Sequence, residues 1–319
     1  MPDMGKYYTK KNFNYAENII KYGSYDAIIY QDSYAPTECI VSKLSDKYNI
    51  PLFVFEHNTP LFVIKKRTLD SLFSIKGFLR RFLHPLLIRR ERKRKRYLLD
   101  HSHKYILLSS NYIKEFSKLI GLKSPCEKIT YINNPIELHD KSLREQEKEN
   151  IILCVCQLNK VKGVDKMLMI WQIIAKQLPD WKFVVVGDGN EKDILIKQAK
   201  NIPRTEFVGY AKPDSYYKKS KIFMMMSQFE GWGMTIVESM HYGCVPVVYD
   251  SFSALADIID NSVNGFIIPN NDISEYESAI ITLARNEDIR KKMSLSAILK
   301  SKQFDVKSIV DKWEKILKN

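Results

Sequence analysis

Short β-rich runs alternate with helix-length segments along most of the chain, and this alternation constrains the fold more than any other feature. In the first half the strand-like runs are Ala27–Tyr30, Leu52–Phe55, Tyr105–Leu108 and Ile129–Ile132. In the second half they are Ile151–Cys156, Phe183–Val186, Glu206–Val208, Ile222–Met226, Val245–Tyr249 and Phe266–Ile268. The helix-length segments between them include Val164–Gln177, Asp193–Lys200, Met234–Tyr242 and Ser274–Arg285. This pattern predicts right-handed βαβ units and parallel sheets covered on both faces.

The chain is long enough for two domains of this kind. Its 319 residues correspond to two domains at roughly 150 residues each. The polar run from His139 to Asn150 has no apolar period and predicts an interdomain linker. We therefore predict an α/β protein with two doubly wound, Rossmann-like domains over 1–146 and 147–302, followed by a C-terminal segment over 303–319.

Composition and cysteine content exclude several classes of protein. A chain with 45% hydrophobic residues is not wholly disordered. No run reaches the ~18 consecutive apolar residues of a membrane span, and the opening residues have no apolar core typical of a secretory signal. Five cysteines, with no second pair near Cys154 and Cys156, predict reduced thiols and no metal site. We expect a cytoplasmic protein.

The positive charge of the chain is concentrated in one window. Thirteen Lys and Arg residues lie within 65–96 against Asp70 and Glu91, so this window carries +11 of the net charge of +13. Apolar residues from Leu72 to Leu86 recur at helical spacing, which predicts a basic amphipathic segment. Such a segment suits the inner face of an anionic membrane. The residues predicted to bind it are Arg80, Arg81, Arg89, Arg90, Arg92, Lys93, Arg94, Lys95 and Arg96.

Two other interpretations of this window stay open. It could be an ordinary helix with a solvated charged face, or it could bind nucleic acid. The nucleic-acid interpretation is the least favoured, because the sequence has no zinc-finger spacing, no RNP-like motif and no aromatic residues interleaved with the charge run.

Glycines and carboxylates cluster where strands of the second half should end. Gly231 and Gly233 would let the backbone approach a ligand, and the amides of Met234 and Thr235 would open a helix. Glu230 and Glu238 flank this turn, and two carboxylates so placed can accept hydrogen bonds from separate hydroxyl groups of one ligand. The absence of a full Walker or Gly-x-Gly-x-x-Gly motif argues against an NTPase or a dehydrogenase.

The segment from Phe229 to Val247 resembles the Glu-x7-Glu signature of glycosyltransferase family 4. The resemblance continues in Leu158–Asp165, Gly187–Gly189, Phe207–Gly209 and Asn264–Pro269, and more loosely in Phe55–Pro60 and Ile132–Ile136. It implies the GT-B fold of two facing Rossmann-like domains, an acceptor-side domain first and a donor-binding domain second. A terminal helix containing Trp313 would cross back onto the first domain.

The resemblance also implies a reaction and a set of roles. Members transfer a sugar from a nucleotide donor with retention of configuration, usually without a metal or other cofactor. Glu238 would bind the donor ribose and Glu230 the transferred sugar, while Lys162 and the amides around Gly233–Thr235 would stabilise the leaving diphosphate. His57 matches a histidine near the reacting sugar, although it could also be a core histidine. The remaining donor-site residues are Gln157, Gly187, Gly209 and Gly231.

The donor and the acceptor follow less directly. The stretch Tyr249–Ser253 resembles members that use UDP-hexoses or UDP-N-acetylhexosamines. With the basic segment, this implies a metal-independent hexosyltransferase at the inner membrane face. It would act on a lipid-linked or membrane-proximal glycan in the synthesis of a capsule, a lipopolysaccharide or another surface polysaccharide.

Two departures from the family pattern keep a second function open. Gln157 stands where members usually have arginine, which removes a bidentate cation from the diphosphate site. The first half has no glycine-rich loop and its first clear strand is Ala27–Tyr30, so the chain is a natural short form, a truncated product or a subunit completed by another chain. The alternative function is therefore a catalytically impaired, membrane-associated subunit of a glycosyltransferase complex.

Overall fold

The computed structural model describes residues 9–32, 38–64, 84–137 and 148–318. The chain divides into two compact units, 1–133 with 312–319, and 134–311. The division falls before the predicted boundary at 146/147. The reason is local: the amide of Ile136 donates to the carbonyl of Phe304 at 2.8 Å, and Ile136 forms a β-bridge with Asp305, so residues 134–137 pack with the second unit.

The first unit contains a parallel sheet of four described strands in the order β1-β2-β3-β4. These strands are β1 (Ile28–Asp32), β2 (Leu52–Glu56), β3 (Lys104–Leu107) and β4 (Ile129–Tyr131). The helices are α1 (Lys10–Tyr22), α2 (Glu38–Tyr48), α3 (His84–His101) and α4 (Ser110–Ile120). All four strands lie where the β-rich runs predicted them. The described strands follow chain order without a reversal, so in this unit they do not show the doubly wound order that we predicted.

The core of the first unit contains a charged cluster. Val54 and Ile106 are fully buried, as expected for the inner strands of a parallel sheet. Beside them, the Lys95 ammonium forms an ion pair with Glu56, and the Tyr105 hydroxyl donates to the same carboxylate at 2.8 Å. Buried charges are tolerated when they are paired and hydrogen-bonded in this way. Lys95 is 1% exposed.

Helix α3 therefore does not present all its cations to solvent. The prediction was wrong to include Lys95 in the membrane-binding set, because its ammonium lies in the core. Arg94 forms an ion pair with Glu91 at 3.2 Å and is largely buried. The exposed cations of this helix are Arg89, Arg90, Arg92, Lys93 and Arg96. Arg80, Arg81 and the predicted apolar stripe up to Leu83 lie outside the described residues.

The second unit contains a parallel sheet in the order β10-β9-β8-β5-β6-β7. The strands are β5 (Ile151–Val155), β6 (Lys182–Val186), β7 (Thr205–Gly209), β8 (Ile222–Met225), β9 (Val245–Tyr249) and β10 (Phe266–Ile268). The helices are α5 (Val164–Ile174), α6 (Lys192–Ala199), α7 (Asp214–Lys219), α8 (Met234–His241), α9 (Leu255–Ile258), α10 (Ile273–Arg285), α11 (Glu287–Ser301) and α12 (Val306–Lys318). The predicted strands and helices are confirmed to within a few residues at their ends.

The strand order of the second unit identifies where a ligand would bind. The first strand, β5, lies beside the fourth, β8, so the chain reverses its direction across the sheet between these two strands. In open α/β sheets ligands bind outside the carboxyl ends of the strands at this reversal point. The loops that leave β5 and β8 carry Lys162 and Glu230, two of the predicted site residues.

The division of the chain into two units falls within the last helix, α12. Residues of α12 up to Asp311 cluster with the second unit, and those from Lys312 onward cluster with the first. In the first unit, the Trp313 ring lies edge-on to Phe55, with 5.2 Å between centroids.

Among the described residues, no helix combines the length and apolar character that a membrane-spanning helix requires.

Candidate active site

Helix α8 is preceded by a glycine that a larger residue could not easily replace. Gly233 has φ 84° and is the residue before the helix, with no side-chain cap. A Cβ there would lie 2.9 Å from Ile236 Cδ1 and 3.0 Å from Phe252 Cζ. The first amides of a helix, here those of Met234 and Thr235, have no partner inside the helix and attract anions or ligand oxygens.

Lys162 and Glu230 meet at the reversal point of the sheet. Lys162 ends a short 3-10 turn and is followed by Gly163 in the left-handed conformation, where a Cβ would lie 2.5 Å from the carbonyl oxygen of Met226. This close approach of the two loops brings Lys162 Nζ to 2.5 Å from Glu230 Oε1, and both side chains are mostly buried. The structure thus brings together two residues that the sequence analysis assigned to the diphosphate and the transferred sugar.

Gln157 lies at the exposed start of the loop after β5. Its Oε1 accepts a hydrogen bond from Asn159 Nδ2 at 3.2 Å. Asn159 in turn accepts from the amide of Val161 at 3.0 Å, which shapes the turn that carries Lys162. The contacts of Gln157 are therefore local to its own loop, and its predicted role toward a diphosphate stays a prediction.

Gly187 and Gly209 lie at the ends of β6 and β7, where close packing or the backbone conformation favours glycine. Gly187 has φ 146°, and a Cβ on it would lie 1.8 Å from the carbonyl oxygen of Cys156. Its amide donates to the carbonyl of Gly209 at 2.8 Å, and Gly209 has φ 81°. Close packing of neighbouring loops accounts for Gly187. At Gly209 there is room for a Cβ, whose nearest neighbour would be Lys192 Nζ at 3.7 Å, so the positive φ alone favours glycine there.

Glu238 is held by a buried tyrosine that the sequence analysis missed. The Tyr217 hydroxyl donates to Glu238 Oε2 at 2.9 Å, and Tyr217 is 1% exposed. Burial raises the pKa of Glu238, and the negative charge of Asp214 adds to this effect, while the hydrogen bond from Tyr217 opposes it. Burial also raises the pKa of Tyr217 well above its usual range, so this hydroxyl is a donor at neutral pH.

A second tyrosine–carboxylate pair lies beside the first. The Tyr242 hydroxyl donates to Asp214 Oδ1 at 2.8 Å, and the rings of Tyr217 and Tyr242 are stacked with centroids 5.9 Å apart. Both pairs line a cavity of about 320 Å³ together with Glu137, Met234 and His241. A usable signal was present in the sequence: α7 (Asp214–Lys219) follows the end of β7 (Thr205–Gly209) after a short loop, which places Asp214 and Tyr217 near the carboxyl edge of the sheet.

His57 belongs to the first unit, directly after β2. Its ring lies edge-on to Phe55 with 4.2 Å between centroids, and its Nε2 is buried without a hydrogen-bond partner among the described residues. Burial lowers the pKa of His57, which favours the neutral imidazole. Its predicted role near the reacting sugar stays a prediction.

The fold is that of a known class of solved structures. Solved glycosyltransferase structures of the GT-B type share the fold. TarM of S. aureus, determined with UDP, matches with a TM-score of 0.72 at 18% identity, over 97% of this chain and 59% of TarM. The GtfA/B complex matches with a TM-score of 0.74 at 16% identity, over all of this chain and 64% of the matched chain.

Family membership follows from the sequence match. The model of the family described as Glycosyl transferases group 1 matches residues 135–300, slightly more than half of the chain, and the chain belongs to this family.

Individual relatives match the chain at 24% to 31% identity. An uncharacterised glycosyltransferase of Haemophilus influenzae is 31% identical over 198 residues, which is 59% of this chain and 55% of the relative. The amylovoran biosynthesis glycosyltransferase AmsD of Erwinia amylovora is 28% identical over 56% of this chain and 52% of AmsD. The chain thus spans about half the length of these two relatives. A Campylobacter jejuni N-acetylgalactosaminyltransferase, named for an undecaprenol-diphosphate-linked acceptor, is 24% identical over 88% of this chain and 70% of its own length.

Proposed function

We propose that the protein is a retaining glycosyltransferase that moves a hexose or an N-acetylhexosamine from a UDP-sugar to a lipid-linked or membrane-proximal glycan in surface polysaccharide synthesis. One observation carries the proposal: Lys162 and Glu230 are paired at the reversal point of the second sheet, and Glu238 follows in the helix that begins there. Family 4, with its retention of configuration, is the finer class that the Glu-x7-Glu motif favours.

The proposed chemistry needs positive charge where the leaving diphosphate develops negative charge. The Lys162 ammonium and the N-terminus of α8 supply it from fixed positions, which lowers the barrier because these groups need no reorganisation. This arrangement supports transfer without a metal ion. In the proposed complex the Lys162 ammonium pairs with the diphosphate instead of Glu230. The Glu230 carboxylate then accepts hydrogen bonds from the hydroxyl groups of the transferred sugar.

The relatives support the proposed donor and acceptor. The TarM structure contains UDP, and the Campylobacter enzyme is named for an acceptor carried on undecaprenol diphosphate. AmsD is named for the biosynthesis of amylovoran. These names motivate UDP as the first nucleotide to test and a polyprenol-linked glycan as the first acceptor.

A nucleotide screen tests the donor site. Thermal unfolding is measured with UDP, GDP, ADP and their sugar conjugates, on the wild type, on Glu238→Ala and on Asp180→Ala, an exposed carboxylate before β6. A ligand at about one hundred times its Kd stabilises by roughly 2.7 kcal/mol. We expect uridine nucleotides to stabilise the wild type and Asp180→Ala but not Glu238→Ala. No stabilisation of the wild type by any nucleotide would overturn the proposed donor site.

Gln157 supports a second candidate, a catalytically impaired subunit of a glycosyltransferase complex. Because glutamine carries no charge, the loop after β5 offers the diphosphate one cation fewer than arginine would. GtfA, named as a subunit, is among the relatives, and the GtfA/B complex shares the fold. Under this alternative, Gln157→Arg would raise UDP affinity and create transfer that the wild type lacks; under the main proposal the wild type already transfers.

The exposed face of α3 supports docking to an anionic membrane on its cytoplasmic side. Five cations occupy this face, and each cation near such a surface contributes about 1 kcal/mol. Sedimentation with vesicles of phosphatidylglycerol or phosphatidylcholine compares the wild type with a variant in which four of them are replaced by glutamine. The substituted residues are Arg89, Arg90, Lys93 and Arg96.

The matched control replaces four exposed lysines of the second unit, Lys176, Lys197, Lys200 and Lys212, by glutamine. We expect the α3 variant to lose binding to phosphatidylglycerol vesicles and the control variant to keep most of it. Equal loss in both variants would favour a solvated face that responds only to net charge. Binding to RNA with none to vesicles would favour the nucleic-acid interpretation.

A further inference from the structure

We propose that Tyr217 is a positioning residue of the donor site, which holds one carboxylate oxygen of Glu238 so that the other is presented to the hydroxyl groups of the donor. The inference rests on the proposed function and adds to it a residue outside the family motif. Tyr217 lies in α7, 21 residues before Glu238 in the chain.

The geometry separates the two oxygens of the carboxylate. Oε2 accepts from the Tyr217 hydroxyl at 2.9 Å, and Oε1 accepts from no residue that the structure describes. Because Tyr217 is fully buried, its ring cannot turn away without leaving a cavity. A carboxylate whose rotamer is fixed in this way loses little conformational entropy when a ligand binds to it.

The surroundings of Glu238 determine when it is ionised. The titratable groups that line the same cavity are Asp214 and Tyr217 from α7, His241 and Tyr242 from α8 and its end, and Glu137 from the segment after β4. Two of them act in opposite directions: the Tyr217 hydrogen bond stabilises the carboxylate, and the charge of Asp214 destabilises it. A neutral carboxyl group would lose acceptor capacity toward ligand hydroxyls.

Two conservative substitutions therefore have opposite expected effects. Tyr217→Phe removes the stabilising hydrogen bond with little change of shape, so the ionisation midpoint of Glu238 should rise. Asp214→Asn removes the like charge and can still accept from Tyr242, so the midpoint should fall. Opposite shifts are a readout that general destabilisation of the fold does not produce. Tyr216→Phe, the same substitution one residue earlier in α7, is the matched control.

The experiment has a ligand-free arm and a ligand arm. In the first, the side-chain carboxyl carbon of Glu238 is titrated by NMR in full-length protein labelled at glutamate, with Glu238→Gln for the assignment. In the second, the Kd for UDP is measured by calorimetry across the same pH range. We expect Tyr217→Phe to bind UDP about tenfold more weakly at neutral pH, as for the loss of a hydrogen bond to a charged group.

The two arms separate the possible failures. An unchanged midpoint in Tyr217→Phe, or UDP affinity equal to that of Tyr216→Phe at every pH, would overturn the inference. Shifts of opposite sign with weakened UDP binding in Tyr217→Phe would support it. If the wild type binds none of UDP, GDP and ADP, the proposed function fails, and the ligand-free titration alone decides whether Tyr217 and Asp214 control the carboxylate.

Discussion

Lys162 and Glu230, 68 residues apart in the chain, form an ion pair at 2.5 Å where the loops after β5 and β8 meet. The pair is mostly buried, so it is screened less than a surface ion pair. It holds a cation at the position where the proposed diphosphate would bind. The ammonium is thereby kept in place before the donor arrives, at the cost of a competing carboxylate.

Removing that competing carboxylate should separate binding from transfer. We expect Glu230→Gln to bind UDP about two- to fivefold more tightly, because the carboxylate that competes with the diphosphate for Lys162 is then replaced by a neutral amide. Sugar transfer should fall at least about 100-fold if Glu230 contacts the transferred sugar. Calorimetry with UDP and a transfer assay measure the two effects. Lys162→Met is the comparison, with weaker UDP binding expected; an equal loss of UDP affinity in both variants would contradict the prediction.

Gly187 should be intolerant of a side chain. A Cβ at this position would overlap the carbonyl oxygen of Cys156, so the ends of β5 and β6 would have to separate. We expect Gly187→Ala to destabilise the protein by about 3 kcal/mol or more, or to prevent folding. Gly121→Ala is the matched control, since Gly121 has φ 72° with no atom within 4 Å of a Cβ, and about 1 kcal/mol is expected there. Similar melting temperatures for the two variants would refute this account.

Glu238 should oppose stability at neutral pH. Its pKa in the folded state is raised above the ordinary value of 4.5, chiefly by burial, so the folded protein binds a proton more tightly than the unfolded chain does. The contribution of the carboxyl group to stability is therefore present below pH 4.5 and is lost as the pH rises through the raised pKa. We expect the melting temperature of Glu238→Gln to increase relative to that of the wild type as the pH rises above 4.5. Glu206→Gln, at an exposed position of β7, is the control; a difference that is constant with pH would refute the burial argument.

Lys95 should behave as a core residue despite its place in the basic run. Lys95→Met removes the cation that pairs with the buried Glu56 carboxylate, and we expect a loss of about 3–5 kcal/mol. Arg96→Met, one residue on and exposed, should change the free energy of unfolding by less than about 0.5 kcal/mol. Chemical denaturation measures both. A Lys95→Met variant as stable as Arg96→Met would show that the ion pair does not form in solution.

His57 should have the opposite pH dependence to Glu238. Because burial lowers its pKa below 6.5, the folded protein binds this proton less tightly than the unfolded chain does. Its contribution to stability is complete above pH 6.5 and is lost as the pH falls below that value. We expect His57→Gln to reduce the loss of stability between pH 7.5 and pH 5.5, measured by thermal unfolding. A His57→Gln variant that loses as much stability as the wild type over this range would contradict the prediction.

Local sequence patterns were sufficient for much of the fold. The β-rich runs at Leu52–Phe55 and Val245–Tyr249 predicted buried strands correctly, because a fully buried parallel strand needs a continuous apolar run. The turn at Gly233 predicted the start of α8 for an equally local reason, since a left-handed residue before a helix favours glycine. The strand order of each sheet had no such local signal.

The sequence by itself determined the positions of the strands, the helix start at Met234 and the window that carries the charge, because these depend on neighbouring residues and on backbone preferences. Only the tertiary structure decided that Lys95 lies in the core while Arg96 faces solvent, since that depends on how α3 is rotated against β2 and β3. It also decided that Lys162 meets Glu230 and that Tyr217 holds Glu238. These pairs join loops and helices distant in the chain, and packing of the sheet brings them within hydrogen-bonding distance.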